Sequence, residues 1–226
     1  MKYFLYILIA LILLVSLTYY FINRRFISHQ EKLFEDLQNS NFTESPRIFN
    51  ETSVLDDERF WELIDMSKRE YPNNFNSQME CLTKILSNLS DEEIIDFERR
   101  IREKMIELWN YNVKSLYQII YGNYFSTDGF IYFRFWIISN GKDFFIKSIY
   151  ETDNLSEDIF KTEDGEMLLV VADNAFKIKN MNRKIDKLPR DLSLDVDYDF
   201  GNYRMTGKYI SPSDFKKHFP KLTRKF

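Results

Sequence analysis

The stretch STDGFIYFRFWIISNG, residues 126–141, decides the fold class of this chain. Its aromatic and β-branched residues favour a β-strand by propensity. The flanking residues favour a helix of about three turns instead, because Ser126 can cap a first turn that contains Asp128, and Asn140-Gly141 supplies a stop. We therefore predict a buried helix here and a mostly helical domain around it.

Helical signals continue on both sides of this stretch. Ser90-Asp91-Glu92-Glu93 is a capping box, so a long helix should follow it. The spacing turns apolar residues inward and predicts an exposed i, i+4 pair between Glu98 and Arg102. Further helices are predicted from a cap at Asp56 or Asp57 to the Tyr71-Pro72 break, and over residues 75–86, 116–121, 154–160 and 164–179.

The composition changes along the chain and indicates four regions within 226 residues. A mostly apolar beginning is followed by a polar segment with one proline, then by the helical region, and last by alternating charge blocks. We predict the following organisation: a transmembrane anchor at 1–25, a stalk and linker at 26–55, a compact multi-helix domain at 56–182, and a partly irregular, charged C-terminal extension at 183–226.

The N-terminal region contains twenty uncharged residues from Tyr3 to Ile22. As a helix they span about 30 Å, which matches one bilayer crossing and predicts membrane lipid as a partner. A cleaved signal peptide is the alternative, but its apolar run is usually about 7 to 15 residues long and ends in an Ala-x-Ala-like site. Arg24 and Arg25 follow the run and favour a single-pass membrane protein with a cytoplasmic C-terminal domain. A domain on the other side of the membrane stays open.

Several classes of function lack their usual signals. The net charge is −4 and the pI about 5.4, so no nucleic acid partner is expected. The histidines, His29 and His218, lie outside the predicted domain, and no nucleophile elbow, dinucleotide fingerprint, P-loop or zincin motif is present. The sequence therefore identifies no cofactor and leaves open whether the protein is an enzyme.

Five motifs in order resemble the bacterial domain-of-unknown-function family numbered 4240, over residues 58–180. They are Phe60-Trp61-Glu62-Leu63-Ile64-Asp65; Leu89-Ser90-x-Glu92-Glu93-Ile94 with Phe97; Ser126-Thr127-Asp128-Gly129-Phe130 leading into Phe133-Arg134 and Trp136; Asn140-Gly141-Lys142 with Phe144 or Phe145; and residues 166–176. The resemblance implies a small helical domain and brings no activity. This chain has Thr127 where the family commonly has a second acid before Asp-Gly-Phe, which puts in doubt any cation site built on that pair.

The polar loop before the central helix is the predicted ligand-binding site, since loops on rigid scaffolds often carry function. The alternative is that Ser126 caps the helix, Asp128 favours its dipole and Gly129 allows close packing. Arg134 interrupts an apolar run and needs a partner such as Asp128 or Glu62 if it is buried. The complete set of candidates is Ser126, Thr127, Asp128, Gly129, Arg134, Trp61, Glu62 and Asp65, with no metal site assigned.

The end of the chain is basic and interleaved with apolar residues. It can make a second contact with a membrane or an acidic surface, or it can fold over the acidic helices of its own domain. The basic residues in question are Lys216, Lys217, Lys221, Arg224 and Lys225.

Two hypotheses for function follow from these features. The first is a membrane-tethered helical interaction or binding module with a protein partner. The alternative is an enzyme or a cation-dependent ligand-binding domain that uses the Ser126–Gly129 loop with Glu62 or Asp65.

Overall fold

The computed structural model describes residues 15–18, 54–159, 161–198 and 203–226. Within these ranges the protein is a compact set of helices, and no strand is present. Short 3₁₀ and α-helical turns connect or follow the longer helices at Thr152–Ser156, Gly165–Val170, Pro189–Leu192, Pro212–Asp214, Phe215–His218 and Leu222–Lys225. The longer helices are α1 (Asp57–Glu70), α2 (Phe75–Ser87), α3 (Asp91–Glu107), α4 (Tyr111–Ile120), α5 (Thr127–Ser139), α6 (Lys142–Tyr150) and α7 (Val171–Lys179).

The central stretch is a helix, as its flanking residues predicted. The Ser126 side chain accepts a hydrogen bond from the Gly129 backbone N–H, and Asn140 ends the helix. Most of α5 is buried on all sides, so strand-like residues are tolerated because helices pack around them. Burial of the whole helix therefore outweighs local propensity.

Helix α3 begins with the predicted capping box. The Ser90 side chain accepts from the Glu93 N–H at 3.1 Å, and the Glu93 carboxylate accepts from the Ser90 N–H at 2.8 Å. Its apolar stripe faces the core as predicted, with these residues buried: Ile94, Phe97, Ile101, Met105 and Leu108.

The Glu98–Arg102 pair forms, but the prediction that it is exposed is wrong. The two side chains are 2.9 Å apart, and the residues are only 2% and 5% exposed. The chain after α7 covers them: the Arg102 guanidinium donates to the carbonyl oxygens of Val196 and Arg190 and lies over the Tyr198 ring. Burial raises the pKa of Glu98 to about 7, and Arg102 only partly offsets this effect.

The helices differ from the predictions in three respects. Helix α4 begins at Tyr111 rather than at residue 116, and Asn110 caps it by accepting from the Asn112 N–H. Helix α6 was not predicted, because Asn140-Gly141 was interpreted only as a stop, whereas Gly141 at φ +93° also begins the next helix. Residues 152–156 and 165–170 form 3₁₀ helices rather than α-helix.

The 3₁₀ helix Gly165–Val170 lies directly on the backbone of α5. A Cβ atom at Gly165 would collide with backbone atoms of Tyr132, Phe135 and Trp136. Only glycine allows this approach, and the residue is buried. The contact fixes the segment that follows residue 160 against the central helix.

The described residues of the C-terminal extension pack on the helical domain. Phe215, Phe219 and Leu222 are buried. The Asp153 carboxylate accepts from the backbone N–H groups of Lys221 and Leu222, both at 2.9 Å. The backbone of the tail therefore packs on the segment that contains Asp153, as one of the two interpretations predicted. The five basic side chains are exposed, so their contact with a membrane or an acidic surface stays a prediction.

No helix in the described ranges is both long enough and apolar enough to cross a membrane. A crossing needs about 20 mostly apolar residues, whereas the longest of these helices, α3, has 17 and is strongly charged. This finding contradicts the predicted single-pass membrane location with a cytoplasmic C-terminal domain. The proposed anchor at residues 3–22, with Arg24 and Arg25 after it, lies outside the described ranges except for a helical piece at 15–18.

Candidate functional site

The residues of the predicted loop site form a turn, a helix cap and the first turn of a helix. Gly122 and Asn123 both have φ of +66°, which turns the chain after α4. Ser126 caps α5, while Thr127 and Asp128 are exposed in its first turn. These polar groups therefore lie on the protein surface at the N-terminus of α5.

Gly129 is a close-packing position. A Cβ atom there would collide with the Tyr117 hydroxyl, and the Tyr117 ring packs against Phe130 and Phe133. Burial raises the pKa of Tyr117 to about 12, so its hydroxyl stays protonated at neutral pH.

Arg134 is fully buried, and neither Asp128 nor Glu62 is its partner. Its guanidinium carbon lies 5.3 Å from the Trp109 ring centroid and 5.2 Å from that of Phe130. One of its N–H groups donates to the Met105 carbonyl oxygen at 2.7 Å. Among the described residues, two ring faces and a backbone carbonyl contact the guanidinium.

The candidate acids do not come together. Glu62 pairs with Arg59 on the surface of α1, and the Asp65 carboxylate adjoins Gly141 at the C-terminal end of α5. Asp128 stands at the other end of α5, about 18 Å away at 1.5 Å per residue. Two carboxylates at that separation cannot share one ion, and the part of the chain that the structure describes has no group of three potential metal ligands.

Trp61, the remaining candidate, belongs to the core. It is 3% exposed and packs edge-on against Phe60 and tilted against Phe145. Packing in the core is therefore a sufficient role for this tryptophan, and no ligand is needed to explain it.

A cavity of about 270 Å³ lies elsewhere, among the end of α1, the start of α2, the end of α5 and the start of α6. We call it the Lys68 cleft. Its polar lining comes mainly from lysines, amides and acids, and its apolar wall from Trp136 and Phe144, whose rings meet at 5.2 Å. The lining residues are Lys68, Pro72, Asn73, Asn74, Phe75, Trp136, Ser139, Asn140, Phe144, Asp158, Lys161 and Glu163.

Lys68 is the distinctive group of the cleft. Its ammonium donates to Asn140 Oδ1 at 3.0 Å, and Asn140 is itself fixed by donating from Nδ2 to the Trp136 carbonyl oxygen at 2.8 Å. Within the described ranges no carboxylate lies within 4.0 Å of the Lys68 ammonium. Burial lowers the pKa of Lys68, and the more distant Glu163 only partly opposes this effect.

The acids that line the cleft have other partners. Glu163 pairs with Lys161 at 2.6 Å, and Asp158 pairs with Lys147 at 3.2 Å. The helix N-terminus at Phe75, capped by the Asn74 side chain, contributes a partial positive charge to the same cavity. The net effect is a half-buried cation beside a helix N-terminus, with the nearby negative charges already paired.

No direct signal pointed to Lys68, because its partner Asn140 lies 72 residues further along the chain. Asn140, Trp136 and Phe144 do stand in the motifs of the family resemblance. There Asn140 was interpreted as a helix stop, and Trp136 as part of a buried helix. A lysine one turn before a Pro-Asn-Asn break is the only local hint, and such a lysine is usually exposed.

The comparisons with known proteins identify a family for this chain. The sequence model of a family described as "Protein of unknown function (DUF4240)" matches residues 55–178, which is more than half of the chain. The chain belongs to this family, as the five motifs indicated. No curated protein and no solved structure matches it significantly.

Proposed function

We propose that this helical domain is a binding module that takes a small anionic molecule into the Lys68 cleft. The observation that carries the proposal is the Lys68 ammonium, which lines a cavity, is half-buried and forms a single hydrogen bond with the part of the chain that the structure describes. A cation removed from water without a counter-charge is costly. A bound carboxylate or phosphate would supply that counter-charge and accept hydrogen bonds from the remaining N–H groups of the ammonium.

The rest of the cleft defines the kind of ligand. The Trp136 and Phe144 rings offer an apolar wall on which a planar or apolar group can lie. The helix N-terminus at Phe75 favours negative charge as well. At about 270 Å³ the cavity is slightly smaller than most ligand pockets, which span roughly 300 to 1,000 Å³. We therefore expect a small metabolite that joins an acid group to a ring.

The test is thermal unfolding of the full chain in the presence of four probes: acetate, benzoate, inorganic phosphate and phenyl phosphate. At 100 times its Kd a ligand should raise the free energy of unfolding by about 2.7 kcal/mol. We expect the ring-bearing anions to stabilise the protein more than acetate or inorganic phosphate. Absence of stabilisation by all four probes would contradict the proposal.

A further inference from the structure

A second concave surface lies between α2 and α7 and is mostly apolar. It encloses about 460 Å³, and we call it the α2–α7 groove. Met79 and Val171 form its buried floor, while Met167, Val170 and Ile178 are 37%, 37% and 51% exposed along it. Single exposed apolar residues are normal, but several that line one groove mark an interaction surface.

The charges on the rim of the groove identify the partner. Lys84 and Lys177 line it and are exposed, and neither forms an ion pair within the described part of the chain. Glu80 is the acid among the lining residues, so the rim is positive overall. We infer that the α2–α7 groove docks an amphipathic helix of a partner protein whose apolar stripe is flanked by acidic residues.

The dimensions of the groove favour a helix as the occupant. Along α7 its lining residues Val171, Asn174 and Ile178 follow the i, i+3, i+7 spacing of one helix face and extend about 10 Å. Two turns of a docked helix would match that length. The groove walls are helices, so in the described residues no sheet edge is available there to pair with an extended peptide.

Methionine makes this surface adaptable. Met79 on the floor and Met167 on the edge have unbranched, polarizable side chains that can repack around different apolar anchors. None of the residues that line the groove also lines the Lys68 cleft. Docking here is therefore independent of the proposed small-molecule site, and each can fail without the other.

The experiment is selection of helical peptides from a display library against the full chain. The library fixes leucine at i, i+3 and i+7 and randomises the flanking positions. We expect the enriched peptides to have acidic flanks. Their affinity should fall roughly tenfold for the protein that combines Lys84→Glu and Lys177→Glu, and it should rise for Glu80→Gln. Ile178→Asp should abolish binding. Tyr150→Asp is the matched control, since Tyr150 is 77% exposed and lies outside the groove.

Three results would overturn the inference. The first is an enriched set with neutral or basic flanks. The second is an equal loss of binding in Ile178→Asp and the Tyr150→Asp control. The third is a concentration-dependent dimer in sedimentation that Ile178→Asp disrupts, because a second copy of the chain would then be the occupant. The lysine reversals change exposed residues, so they test the inference even if Ile178→Asp does not fold.

Discussion

The buried Glu98 carboxyl should make this protein less stable as the pH rises from about 4.5 to about 7. Its pKa is raised from 4.5 to about 7 in the folded protein, mainly by burial. Between these values Glu98 is protonated when folded and ionised when unfolded, so unfolding releases a proton and the free energy of unfolding falls with pH. One pKa unit corresponds to about 1.4 kcal/mol, so the loss is at most about 3 kcal/mol and is complete above pH 7.

Urea unfolding of the full chain from pH 4.5 to 8 measures this effect. Glu98→Gln keeps an oxygen that can accept from Arg102 Nε, which now lies 2.9 Å from the carboxylate, but it cannot ionise. We expect the free energy of unfolding to fall less in Glu98→Gln than in the unaltered protein over this range. The difference between the two falls should be up to about 3 kcal/mol. Glu92→Gln removes an exposed acid from the first turn of the same helix and is the matched control.

Identical pH dependence in Glu98→Gln and the unaltered protein would refute this reasoning. It would mean that the 188–198 segment does not exclude water from the Glu98–Arg102 pair in solution. An effect of the same size in Glu92→Gln would also refute it, because the cause would then be net charge and not burial.

Three further predictions concern the packing that positions the cleft and the tail. Gly165→Ala should lower the free energy of unfolding by about 3 kcal/mol or more, because its Cβ meets backbone atoms of α5 that cannot move away; chemical denaturation measures the loss. Ser90→Ala should cost about 1 kcal/mol in the same assay by removing the α3 cap, with Ser90→Asp retaining most of the stability. Asp153→Ala should speed hydrogen exchange at the amides of Lys221 and Leu222 while α3 stays protected; unchanged exchange at both amides would contradict the contact.

Local signals predicted the helical elements where the relevant partners lie close in sequence. The Ser90 capping box and the Ser126 cap act within three residues, and both were recognised from residue type and spacing alone. The apolar stripe of α3 was predicted for the same reason. Helix periodicity carries that information without any tertiary contact.

Contacts between residues that are far apart in the chain could not be predicted from local sequence. Nothing near Glu98 and Arg102 indicates that a segment about 90 residues later covers them. Arg134 was expected to pair with Asp128 or Glu62, but its guanidinium lies over the rings of Trp109 and Phe130. The Lys68 cleft combines four helix ends, and each of its residues taken alone has an ordinary surface, capping or core role.

The most direct test of the account is calorimetric titration of the full chain with phenyl phosphate. We expect measurable binding that weakens at least roughly tenfold in Lys68→Met, since a charge-assisted hydrogen bond contributes about 1.5 to 3 kcal/mol. Lys68→Arg should keep part of the affinity, and Lys84→Met, which changes an exposed lysine outside the cleft, should bind as the unaltered protein does. Equal affinity in Lys68→Met and the unaltered protein would contradict the Lys68 cleft as the binding site.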